Sequence, residues 1–133
     1  VEIAKGKGAK RAMLLPVSAP FHCALMRPAA DVMTEALAKV SVKPPAVPVV
    51  ANVLAKPIQD PAEIVQALVK QVTGTVRWRE SVAFMAGAGV TRFTEIGAGK
   101  VLSGLIKRIA EGATTSAVGT PEDIAAFKAG RNA

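Results

Sequence analysis

At 133 residues the chain has the size of one ordinary domain; half its residues are hydrophobic, only 4% are aromatic and none is Tyr, so its core must be built from aliphatic side chains. A single cysteine excludes an intrachain disulfide and any multi-cysteine zinc site. The net charge of +7 admits an acidic partner, but the basic residues lack the interleaved aromatics on which single-stranded nucleic acid stacks, and no apolar run reaches the roughly 20 residues that span a bilayer.

Neither nucleic acid nor membrane is therefore expected as a partner, and the cytoplasm is the simplest location. The first residues, Val1-Glu2-Ile3-Ala4-Lys5-Gly6, read as the end of a helix already under way, without an initiator Met or the regions of a signal peptide. They suggest a start inside a larger fold. Ala12 to Val17, an apolar run between Lys10-Arg11 and Ser18-Ala19-Pro20, predicts a strand ending in a loop.

From about Cys23 to Val40, the residues Val32, Met33, Ala36, Leu37 and Val40 recur at helical spacing opposite Asp31, Thr34, Glu35 and Lys39. His22 then lies on the turn that starts this helix. Pro44 and Pro45 break it, and Val47 to Val53 is the next strand, with Pro48 demanding an edge or early position. Asp60-Pro61-Ala62-Glu63 has the cap, first-turn proline and third-position acid of a helix start. That helix carries Ile64, Val65, Leu68, Val69 and Val72 and should stop near Thr73-Gly74.

A further helix from about Glu80 to Ala86 leads through Gly87-Ala88-Gly89 into a strand over Thr91 to Ile96. Gly97-Ala98-Gly99 opens another helix, with Val101, Leu102, Leu105, Ile106 and Ile109 as its buried stripe. Thr115 to Val118 is a last short strand, and Thr120-Pro121-Glu122-Asp123 caps a terminal helix. Strands alternating with helices predict an α/β fold with a largely parallel sheet.

The only histidine is the one side chain whose unperturbed pKa lets it exchange protons near neutrality. On a turn between a strand and a helix it can act as a general base, or it can simply be hydrogen-bonded to backbone. Cys23 beside it offers a Cys-His nucleophile pair, but neighbouring side chains at a helix start point apart, so a packed or incidental thiol is the expectation. Gly97-Ala98-Gly99-Lys100 can offer N–H groups to a phosphate or oxyanion, although the spacing to Gly104 fails the dinucleotide fingerprint and a tight packing turn serves as well. Ser18, Ser41, Ser81, Ser103 and Ser116 all lack the Gly-x-Ser-x-Gly elbow. No complete catalytic machine can be assembled from these residues.

Ala9-Lys10-Arg11-Ala12, the run Leu15-Pro16-Val17-Ser18-Ala19-Pro20-Phe21-His22-Cys23-Ala24-Leu25-Met26, then Pro48-Val49-Val50, Leu68-Val69-Lys70-Gln71 with Val76-Arg77-Trp78, and Glu95-Ile96-Gly97-Ala98-Gly99-Lys100-Val101-Leu102-Ser103-Gly104-Leu105 appear in order. Together they resemble the C-terminal portion of the bacterial malonyl-CoA:acyl carrier protein transacylases. The resemblance implies part of the α/β-hydrolase-like acyltransferase fold, with parallel sheet and flanking helices. Residues 1–17 would be the remnant and last strand of a small ferredoxin-like subdomain, and residues 18–133 the C-terminal part of the large domain.

The resemblance also implies malonyl transfer from coenzyme A to the pantetheine thiol of acyl carrier protein in type II fatty-acid synthesis, by way of a serine ester. His22 matches the family's base and Gln71 the residue whose main-chain carbonyl orients it. Phe21 resembles the form that favours malonyl over branched acyl units, and Val101 is placed to line the acyl pocket. Ala98 stands where a proline is common. No metal or resident cofactor is implied; the substrate is malonyl-CoA, and the phosphopantetheine arrives on the carrier protein.

The serine elbow, oxyanion glutamine and carboxylate-binding arginine of the family fall in a missing N-terminal half. This chain alone is then expected to be inactive and to self-associate or bind the rest of the enzyme through exposed strands. Lys10, Arg11, Lys107 and Arg108 are the candidate surface for the acidic carrier. The competing interpretation is a non-catalytic binding module for an acidic carrier protein or nucleic acid, with His22 purely structural.

Overall fold

The computed structural model describes residues 1–14 and 16–131. A short helix α1 (Glu2–Gly6) opens the chain. The expected strand over Ala12 to Val17 is not formed in its described residues, which pair with neither of the two sheets among the described residues; Leu15 is outside the described residues. The helix expected from Cys23 is instead a 3-10 turn, Ala24–Met26, followed by α2 (Arg27–Leu37) with Pro28 in its first turn.

The apolar stripe assigned to α2 is another correction. Val32, Met33 and Val40 are exposed, and Ala30 is the buried residue of the helix. α2 packs against α3.

β1 (Val49–Ala51) follows Pro48 and pairs antiparallel with a strand that composition and spacing do not predict, β2 (Lys56–Ile58), in the register Val49 with Ile58. The link turns through Ala55 at φ 52°, a left-handed position rare for a residue with a Cβ. α3 (Pro61–Thr73) starts as expected: the Asp60 carboxylate accepts from the Glu63 N–H at 2.8 Å, and Glu63 forms an ion pair with Lys56 at 3.0 Å. α4 (Trp78–Gly87) begins two residues before Glu80.

β3 (Arg92–Ile96) and β4 (Thr114–Val118) pair in parallel from Arg92 with Thr114 to Ile96 with Val118. The crossover between them is α5 (Val101–Ile109), and α6 (Pro121–Arg131) ends the described chain. Its cap is reciprocal: Thr120 Oγ1 accepts from the Asp123 N–H while Asp123 accepts from the N–H groups of Gly119 and Thr120. The α/β class and a parallel pair are thus present, but in two separate two-stranded sheets.

The core lies under β3, α4 and α5, where Val82, Ile106 and Ala110 are buried with Trp78, Met85, Phe93 and Ile109 packed around them. Of the stripe expected on α5, Ile106 is buried and Ile109 half-buried, while Val101, Leu102 and Leu105 are exposed.

The hairpin joins this unit through polar contacts. The Arg77 N–H donates to the Asn52 carbonyl, its guanidinium donates to Leu54 O at 3.0 Å, and Ser81 Oγ donates to Asn52 Oδ1 at 3.1 Å. Neither the Arg77 nor the Ser81 side chain follows from apolar periodicity, because the partner of each in these contacts lies 23 or 29 residues away.

Candidate active site around His22

His22 occupies the turn between Pro20 and the 3-10 segment, at φ 59°. A non-glycine residue at that φ is held only where its surroundings fix it. Three contacts do so: the Phe21 N–H donates to Ala19 O at 2.9 Å, Cys23 Sγ donates to Pro20 O at 3.1 Å, and the His22 ring meets α3. Cys23 is thus a half-buried turn residue whose thiol points at backbone.

The ring contact is specific. His22 Nδ1 lies 2.9 Å from the main-chain oxygen of Gln71, and the Gln71 carboxamide nitrogen stands 3.5 Å from the same Nδ1. That carboxamide also donates to the Gly74 carbonyl at 3.2 Å, so the short contact belongs to Nδ1–H donating to Gln71 O. Nε2 is then left with its lone pair. Gln71 sits in the last turn of α3, where main-chain oxygens have no partner within the helix and the helix presents its negative end.

The other expected site residues are placed as follows. Phe21 is 56% exposed beside His22. Val101 is 71% exposed at the start of α5, which packs on β3, β4 and α4 rather than on the elements carrying His22. Lys10 and Arg11 are exposed in the segment after α1, and Lys107 and Arg108 are exposed in the last turn of α5.

The helix start that follows Gly97 to Lys100 is already partly occupied from within the chain. The N–H groups of Leu102 and Ser103 are taken by the Glu95 carboxylate, at 3.1 and 2.8 Å. The serines beside these elements are also committed: Ser103 Oγ donates to Glu95 at 2.7 Å, and Ser81, 2% exposed, donates to Arg77 O and Asn52. Among the described residues the hydrogen-bond partners of His22 are both atoms of Gln71. No group of three His, Cys, Asp or Glu among them can hold a metal, and no helix is long and apolar enough to cross a membrane.

A cleft of about 240 Å³ between β1 and α3 is lined by Val50, Asn52, Ile58, Ala67, Leu68 and Gln71, which places it against the residue that holds His22. Another, of about 280 Å³, lies between the β3–β4 pair and α6, away from the histidine.

No protein-family model matches the chain. The malonyl CoA-acyl carrier protein transacylase of Salmonella typhimurium is 51% identical over 122 residues, which cover 92% of this chain and 40% of that protein. The crystal structure of acyl-carrier-protein-S-malonyltransferase from Bartonella henselae superposes with a TM-score of 0.87 at 52% identity, over 99% of this chain and 42% of that one. A malonyl-transacylase solved in complex with its type II PKS acyl-carrier protein matches at 44% identity and a TM-score of 0.79, over 96% of this chain and 42% of that one. By sequence and by acyltransferase fold, then, this chain is a relative of the malonyl CoA-acyl carrier protein transacylases, and it spans about two fifths of the length of the curated relatives it matches.

Proposed function

We propose that the chain serves malonyl transfer from coenzyme A to the pantetheine thiol of an acyl carrier protein, as the part of a transacylase that carries the general base. The observation behind this reading is the 2.9 Å contact of His22 Nδ1 with Gln71 O. It fixes the tautomer a base requires while using a neutral acceptor in place of the buried carboxylate of a Ser-His-Asp triad.

In the first half-reaction Nε2 takes the proton of a serine hydroxyl as the serine oxygen attacks the malonyl thioester carbonyl. The C–S bond breaks, and the proton passes to the departing coenzyme A thiolate. In the second, Nε2 takes the pantetheine proton, the sulfur attacks the serine ester, and the serine oxygen leaves with that proton. Phe21 and Val101 border the acyl group in this reading, and Lys10, Arg11, Lys107 and Arg108 face the acidic carrier.

The serine belongs to an N-terminal half, and residues 1–17 to a small subdomain shared with it. The complex of a similar transacylase with its carrier protein supports the choice of partner, and the engagement of Ser81 and Ser103 with Asn52 and Glu95 takes those two out of consideration as the nucleophile.

The test is mass spectrometry of the chain with malonyl-CoA, alone and mixed with a serine-bearing N-terminal half. No adduct is expected on the chain alone, and transfer is expected in the mixture. A malonylated serine on this chain would overturn the division of labour. Transfer in the mixture that persists unchanged in His22→Ala would favour a binding module with a structural histidine.

A further inference from the structure

Helix α5 starts without a cap of its own, since Lys100 makes no side-chain hydrogen bond to the first-turn N–H groups. Those groups are met from the neighbouring strand. Glu95 Oε1 accepts from the Leu102 N–H at 3.1 Å, and Oε2 accepts from the Ser103 N–H at 2.8 Å and its hydroxyl at 2.7 Å. Three donors converge on two oxygens, which is a task for a carboxylate and not for an amide.

Gly97 and Gly99, between strand and helix, have φ of 139° and 93°. Glycines in that region have little local preference to hold a segment in place. Tertiary contacts hold it at both ends: the Gly97 N–H donates to Val118 O at 3.1 Å, and Glu95 grips the helix start. The segment leaves the carboxyl end of a strand in a parallel pair, where α/β proteins place their ligands. It presents Ile96 and Val101, 82% and 71% exposed, on a fixed backbone.

We propose that Glu95 is a positioning residue of the acyl site: its carboxylate fixes the segment from Gly97 to Val101 and so determines how closely Val101 approaches the acyl group. This rests on the transacylase reading, in which Val101 borders that group. A loosened segment lets Val101 retreat, and a branched acyl unit then fits where malonyl alone fitted.

Two measurements test it. In the chain itself, amide hydrogen exchange at Leu102 and Ser103 should quicken by about tenfold or more in Glu95→Gln, with far-UV dichroism unchanged. In the enzyme assembled with its serine-bearing half, Glu95→Gln should lower the ratio of kcat/KM for malonyl over methylmalonyl thioesters severalfold. General instability lowers both substrates alike and leaves that ratio where it was. Unchanged exchange overturns the proposal, and so does faster exchange with an unchanged ratio. Absence of malonyl transfer by the assembled wild type overturns the transacylase reading and the acyl role with it, even where the exchange result is as expected.

Discussion

His22 and Gln71 are 49 residues apart in sequence and joined by a 2.9 Å contact between a ring nitrogen and a main-chain oxygen. Because the acceptor is backbone, every substitution at Gln71 that keeps the helix also keeps the acceptor. Gln71→Ala removes only the carboxamide, with its 3.2 Å bond to Gly74 O, so malonyl transfer in the assembled enzyme should fall by about tenfold or less. His22→Ala should cost about 10²- to 10⁴-fold. Steady-state kcat of the two variants side by side checks the ordering.

Gly119 supports the segment that Glu95 holds. A Cβ there would stand 2.6 Å from the Gly97 carbonyl oxygen, a backbone atom with no freedom to swing aside. Gly119→Ala should therefore destabilise the chain by about 1–3 kcal/mol, read as a lowered urea midpoint.

Ile106 is buried beside Val82 and Ala110 in the core cluster. Ile106→Ala should cost about 2–5 kcal/mol, from lost burial plus the cavity left behind. Equilibrium urea unfolding with an unchanged slope is the expected result.

Acid should weaken the fold at two identified carboxylates. Hydrogen bonds from the Ser103 hydroxyl and N–H hold Glu95 below the usual carboxylate range, and N–H bonds from Gly119 and Thr120 do the same for Asp123. A depressed folded-state pKa contributes stability that is fully present above the unfolded-state value, about 4. That contribution is lost as pH falls through the folded-state value. Stability measured downward from pH 6 should drop less steeply in Glu95→Gln than in the wild type.

Charge reversal at Lys107 and Arg108, both exposed at the end of α5, should slow association with an acidic carrier protein and flatten its salt dependence. Stopped-flow association at several ionic strengths measures both. An unchanged rate would place the docking surface elsewhere.

What was legible in the sequence was local. Asp60-Pro61 and Thr120-Pro121 announce their helices because a cap and its N–H lie within three residues of each other. β2 left no signal, being three residues long with Pro57 at its centre, and its pairing depends on an alanine held left-handed. Periodicity also misplaced Val32 and Met33, since a helical stripe shows which residues share a face and not whether that face is covered. The approach of His22 to Gln71 came from family resemblance alone, for no spacing rule links a turn to a carbonyl 49 residues away. Glu95 was visible as a strand residue, but its reach across a glycine turn to the next helix was not.

The only tryptophan of the chain has its indole nitrogen buried, against the cluster of Val82, Ile106 and Ala110. There is no tyrosine to compete with its light. Fluorescence excited at the red edge of protein absorption therefore reports one region alone, the packing of α4 and α5 against β3, while the histidine turn and the hairpin are dark. A chain whose emission stays blue as the far-UV signal declines has melted outside that cluster first, so a single cuvette separates melting of the core from melting of the elements around it.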